Sequence, residues 1–236
     1  MHRKIALMIV VIMALALPAP LSAASCSPIV LSAAAIHEET LGFDVDLEYP
    51  VMCAPNANRI IRDWVQFRLF DFKKFDPGHD LTDFPHKYEM QMRYEVWPSH
   101  EERYASVKIS VAVYTGGAHY NHWAQTWLFD LKEDRPLSLD ELFIDLEAGL
   151  ERVSRLVRIP LRQSLGNMYV EEMVEQGLEP LERNFRTFIF TDEGVAFFFI
   201  PYQVAPFAAG EQVVTIPYSS LDGILSPEIA QRVNLH

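Results

Sequence analysis

A chain of 236 residues, half of them apolar, is long enough to bury a sizeable core. With 32 acidic residues against 20 basic ones it carries a formal charge of −12, which makes it a poor partner for nucleic acid or an anionic membrane surface. A basic partner suits it better, through electrostatic steering, although solubility alone also accounts for such a charge.

The chain opens on Met1-His2-Arg3-Lys4, continues through an uncharged apolar run of 13 residues at 5–17, and reaches small residues that end Ser22-Ala23-Ala24. This is the layout of a secretory signal peptide, with cleavage expected after Ala24 or nearby. The run is shorter than the roughly 20 residues a helix needs to cross a bilayer. An uncleaved anchor is the alternative. Loss of Arg3 and Lys4 leaves 18 basic residues against 32 acidic ones, so the mature charge is −14. A periplasmic or secreted protein follows, with no membrane insertion after cleavage.

The two cysteines, Cys26 and Cys53, flank a stretch that reads as two extended runs around a polar turn near 38–42. Both lie equally far from Glu39/Thr40, so pairing the runs brings the sulfurs together, and an oxidising compartment permits the bond. Closing such a loop is worth about 3 kcal/mol. The rival is a lipoprotein acylated at Cys26, which would leave Cys53 unpaired.

From Pro55 a helix is expected, started by Pro55, Asn56 and Asn58, carried by Ile60, Ile61, Trp64, Val65, Phe72 and Phe75, and ended by Pro77-Gly78. Alternation predicts a strand from Tyr88 to Val96 bounded by Pro98, and another through Ala105, Val107, Ile109, Val111 and Val113. After Thr115-Gly116-Gly117 a further strand carries Trp123, Trp127, Phe129 and Leu131 on one face, which is most simply the core face. Ser138 is a plausible cap for a short helix. The run 146–165 reads as a helix that Pro160 bends or divides, and 168–178 as another. A hairpin over 185–200, turning at 191–194, precedes a long loop at 201–210 and a last strand at 213–216. Short helical pieces close the chain at 220–225 and in Pro-Glu-Ile-Ala-Gln-Arg-Val. The order predicts an α+β fold with a largely antiparallel sheet packed with helices. Two subdomains, 25–100 and 101–236, are expected to share one body because no linker separates them.

Chemistry-bearing motifs are scarce. His119 and His122 point to opposite faces if extended, and no zinc, nucleophile-elbow or phosphate-loop pattern is present. No cofactor and no metal is expected. A hydrolase using His119 with a carboxylate is left as an alternative; a histidine hydrogen-bonded beside a turn is the simpler reading. The aromatic loops offer a binding surface instead: Tyr114, His119, Tyr120 and Trp123 around one turn, and Tyr202, Pro206 and Phe207 in the other. Two prolines limit the freedom of the second loop, so it loses less entropy when a partner docks.

Three stretches, YTGGAHYNHWAQTWLFDLKEDRPLSLDELF, FIFTDEGVAFFFIPYQVAPFAAG and VVTIPYSSLDGIL, resemble the C-terminal domain of RsiV-type anti-sigma factors over residues 100–226. The preceding VDLEYPVMCAPNANRIIRDWVQF resembles the small domain found beside the catalytic module of PdaC-type peptidoglycan deacetylases. The resemblance implies a non-catalytic extracytoplasmic module that binds a lysozyme-like or other lytic protein. Neither the anti-sigma segment nor the deacetylase module has a counterpart in this sequence, so neither role is carried over. Tyr114, Gly116, Gly117, His119, Tyr120, Tyr202, Pro206 and Phe207 are the expected binding residues, with Gly116 and Gly117 a structural hallmark beside the surface. Peptidoglycan itself is the second candidate partner.

Overall fold

Alternating apolar residues build the large sheet of the computed structural model, which describes residues 28–75, 86–99 and 103–233. β1 (Val30–Glu39) and β2 (Phe43–Met52) form an antiparallel hairpin, and β3 (Tyr88–Ser99) lies parallel to β2. β4 (Tyr104–Tyr114), β5 (Asn121–Asp130) and the short β6 (Arg135–Leu137) follow antiparallel, so the strands stand in sequence order. The parallel step needs a crossover, and α1 (Pro55–Phe72) supplies it.

Proline suits the first turn of α1 because its missing N–H would be unpaired there anyway. The exposed amides of that turn are capped from far along the chain. Asp134, held at φ 47° in the turn before β6, accepts from Asn56 N at 2.8 Å and Ala57 N at 3.1 Å. Ala57, Ile61, Val65 and Phe72 then face the sheet and close a core with Leu47, Met92, Val107 and Ile109. Trp64 meets Trp127 edge to face at 5.3 Å.

The opposite face of β4 and β5 carries the second half of the molecule. α2 (Leu139–Leu142) begins in a capping box of Ser138 and Glu141. α3 (Leu146–Leu165) follows, then α4 (Glu171–Gly177) and α5 (Glu182–Phe185). β7 (Phe188–Phe190), β8 (Gly194–Phe199) and β9 (Gln212–Pro217) form a three-stranded antiparallel sheet, and α6 (Pro227–Arg232) closes the described chain. Val153, Val157 and Leu161 of α3 pack with Phe190, Phe197 and Phe199, and with Tyr104 and Leu128 of the large sheet. Ser106 Oγ accepts from Phe190 N at 2.8 Å, and Thr126 Oγ1 accepts from Phe188 N at 3.0 Å. The large sheet therefore satisfies the free backbone edge of the small one with its side chains.

The fold class is the expected one; several details differ. The hairpin is not centred on Glu39/Thr40, because Glu39 pairs with Asp44 and Cys53 N donates to Ile29 O at 2.9 Å. Cys53 is not a free thiol, and Cys26 lies outside the described residues. The signal-like segment and Pro77-Gly78 also lie outside them. β3 does not stop at Pro98, which faces Ala105 within the ladder. α3 runs unbroken past Pro160, because the buried stripe on either side outweighs one lost hydrogen bond. Phe185 ends α5 rather than starting the hairpin, and the stretch from 168 is a helical turn at Gly166–Met168 followed by the separate α4. Strands from both sides of residue 100 share the large sheet.

Replacing Ser106 by Ala leaves the buried Phe190 N–H without its acceptor, so stability is expected to fall by about 2 kcal/mol in urea unfolding. An unchanged midpoint would mean that the amide finds another partner.

Candidate recognition site

The break after β4 starts with Gly116 at φ 85°, a conformation a side chain would strain. The chain then exposes His119, whose Nδ1–H donates to the Tyr120 carbonyl at 2.9 Å and fixes the tautomer. That hydrogen bond ties down the turn. The free face of the imidazole stacks on Phe207, with centroids 4.0 Å apart and planes inclined by 22°. Tyr202 leans on the same Phe207 ring at 5.5 Å. Tyr120 lies 5.3 Å from Tyr114, and its hydroxyl donates to Glu89. The two loops singled out separately in the sequence thus form one surface.

The loop at 201–210 is held from below. Val204 and Ala205 are buried in the second core, while Gln203 Nε2 donates to the carbonyls of Gly177 at 3.2 Å and Asn184 at 2.9 Å. At Gly177 a Cβ would stand 2.1 Å from the Gln203 carbonyl oxygen, so only glycine allows this approach. Glu211 is gripped by Lys108 at 2.5 Å, and the ammonium also lies 4.1 Å from the centroid of the Phe198 ring. These contacts leave Tyr202 62% exposed and at φ 72°. A bulky residue in the left-handed region is a strained one, a recurrent mark of binding sites. Pro206 is half-buried and leads into the single helical turn Phe207–Ala209.

Between the loop and the β4–β5 edge lies a cleft of about 480 Å³, lined by Ser110, His122, Trp123, Pro201, Phe207 and Glu211. Ser110 and His122 share one sheet face on neighbouring strands. Trp123 packs against the first core from the other face, as its strand parity predicts. Lys108, Glu211, Gln203 and Ser110 escape the sequence reading, and His122, weighed there only as a partner of His119 for a metal, lines the cleft instead. One signal was available: Ser106, Ser110 and Ala112 are small for a solvent face, which marks that side of β4 as covered. No group of three His, Cys, Asp or Glu side chains that could hold a metal occurs among the described residues.

Residues 140–219 match the family described as protein of unknown function, DUF3298. The chain is 22% identical over 186 residues to the peptidoglycan-N-acetylmuramic acid deacetylase PdaC of Bacillus subtilis, covering 79% of this chain but 40% of that protein. It is 23% identical to the esterase Rv3036c of Mycobacterium tuberculosis, covering 79% of this chain and 80% of that one. A solved DUF3298 structure from Bacteroides fragilis superposes with a TM-score of 0.61 at 18% identity, over 87% of this chain and 98% of the other. A Pseudomonas aeruginosa member gives 0.60 at 16%, over 84% and 95%. At these identities the two structures establish the fold alone. No helix of the described residues is long and apolar enough to cross a membrane.

The Glu89 carboxylate accepts a hydrogen bond from the Tyr120 hydroxyl, and this bond, with partial burial and the carboxylate's own charge, pushes the phenol up from 10.0 to about 12. A raised folded value means that this contact stabilises the protein fully below pH 10 and is lost as pH rises from 10 through 12. Spectrophotometric titration of Glu89→Gln should bring one tyrosine back towards the ordinary value. An identical titration curve would show that the contact does not persist in solution.

Proposed function

We propose that this chain is an exported envelope protein that binds a basic peptidoglycan-active protein, a lysozyme or another lytic enzyme, without catalysing a reaction itself. The observation that carries the reading is the stack of His119 on Phe207, which makes one aromatic surface of two distant loops. Rigid aromatic anchors on a tethered loop are the ingredients of a protein-binding hot spot. The chain's acidity suits a basic partner. The PdaC likeness supports an envelope setting, and the partner class follows from the resemblance to RsiV-type ectodomains. Peptidoglycan remains the other candidate ligand, and a sensor, inhibitor or immunity role fits the same surface.

A second reading, ester hydrolysis, is favoured by one observation. Ser110 and His122 line the cleft below Phe207, and a relative of similar length is named an esterase. Against it, Glu211, the carboxylate of that cleft, is held by Lys108 rather than aimed at His122.

Binding to hen lysozyme, measured by calorimetry, should weaken at least tenfold for Phe207→Ala and for Tyr202→Ala, with melting temperatures within a few degrees of the parent. Tyr202→Gly should weaken binding too, yet be more stable than Tyr202→Ala by about 1 kcal/mol, because glycine relieves the positive φ. Unaltered binding in all three variants refutes the surface. Turnover of p-nitrophenyl acetate that disappears in Ser110→Ala would establish the second reading instead.

The pairing of Cys26 with Cys53 belongs to the same exported setting. Cys53 beside Ile29 brings the N-terminal chain within three residues of the other sulfur. The intact mass of the exported protein should show cleavage between Ala24 and Cys26, and two thiols labelled only after reduction. Two reactive thiols before reduction, or a lipid mass on Cys26, would reverse this assignment.

A further inference from the structure

On the far side of Trp123 from the recognition cleft lies a second, smaller one of about 240 Å³, between the last turns of α1 and the ends of β3, β4 and β5. Its walls are Phe72, Phe75, Met90, Val113 and Trp123, and Asn121 and Thr115 stand at its rim. Arg68 reaches into this lining. Its guanidinium carbon lies 5.5 Å from the centre of the Trp64 ring and 5.6 Å from that of Phe67. Its Nε is buried without a hydrogen-bond partner. Among the described residues no carboxylate pairs with Arg68: the nearest acid along the helix, Asp71, is bonded to Lys74 at 3.2 Å.

Arg68 is packed on aromatic rings with its Nε buried and unpaired, and burying that N–H is costly unless something else completes it. Guanidinium geometry fits a carboxylate or a phosphate. Asp71 in the cleft wall disfavours a dianion, and the apolar walls call for an apolar body behind the charge. The size admits one side chain rather than an extended small molecule. Beside the cleft, β6 pairs only with Leu128, Phe129 and Asp130, so β5 presents an open edge at residues 121–125 along which an extended segment can lie.

We propose that this cleft binds the C-terminal carboxylate of a peptide or partner chain ending in an apolar residue. Arg68 takes the carboxylate, Asn121 assists, and Phe72 and Trp123 flank the terminal side chain. The site does not rest on the function proposed above, although Trp123 lines both clefts.

The test uses the full exported protein and an N-acetylated tripeptide ending in leucine, as the free acid and as the C-terminal amide. Indole N–H signals of Trp64 and Trp123 are followed by NMR. The free acid should shift both saturably, the amide should bind at least tenfold more weakly, and Arg68→Met should abolish the response with its melting temperature unchanged or raised. Arg68→Lys, which keeps the charge, should retain part of it. Equal binding of acid and amide, or an undiminished response in Arg68→Met, overturns the proposal. Hexanoate binding as tightly as the peptide overturns the peptide occupant. The acid–amide comparison on the parent protein decides the matter even if a variant fails to fold.

Discussion

The arrangement depends on two hydroxyls. Ser106 and Thr126 rise from the large sheet and accept the amides of Phe190 and Phe188, so a three-residue strand docks face-on against β4 and β5. A strand that short cannot hold a sheet edge by itself, and buried amides need partners. Once β7 is fixed, the β7–β8–β9 meander has one orientation over the large sheet, and the loop between β8 and β9 is delivered to the end of β4 where the Gly-Gly break begins. The aromatic surface follows from that docking.

Two further contacts convert proximity into a set geometry. Lys108 would be a costly buried charge on a covered face of β4, and Glu211 relieves it while pinning the start of β9. Gln203 is clasped by the Gly177 and Asn184 carbonyls at the opposite end of the loop. With both ends and the middle residues Val204 and Ala205 fixed, Tyr202 has no relaxed conformation to fall into. Its positive φ is imposed by the scaffold, and the ring is turned outward as a result. Strain and exposure at this residue have one cause.

Period-2 patterning made most of the large sheet legible, because Met90 and Met92 of β3, Val107, Ile109 and Val111 of β4, and Trp127 and Phe129 of β5 alternate with residues of the opposite face and share the core with α1. The two aromatic loops were legible as separate features. Their meeting was not, since no local pattern records which hydroxyl a distant amide will choose. At Pro98 a local rule about proline gave way to eleven paired residues, and of the two outcomes weighed at Pro160 the division gave way to a buried helical stripe. The hairpin register failed differently. Symmetry about Glu39/Thr40 assumed an even fold-back, whereas Thr40 caps the turn by accepting from Phe43 N at 2.9 Å, which moves the centre towards Gly42. Arg68 left no trace in the sequence, because an arginine in an amphipathic helix reads as a solvated one.

Charge and aromatic contact have separate tasks on the proposed reading. Asp44, Asp46 and Glu48 of β2 share the open sheet face with Glu89 and Glu95 of β3, and Arg93 bridges to Asp46 among them. Like charges on one sheet face oppose each other at modest cost in water, and salt screens them over about 8 Å under physiological conditions. Such a face accelerates encounter with a cationic protein but adds little to the lifetime of the complex. Lifetime rests with Tyr202, Phe207 and His119, whose contacts are short-ranged and insensitive to salt. Glu89 belongs to both groups, since it is part of the acidic face and also receives the Tyr120 hydroxyl. Neutralising it would therefore slow association through the field and also loosen the turn that carries His119.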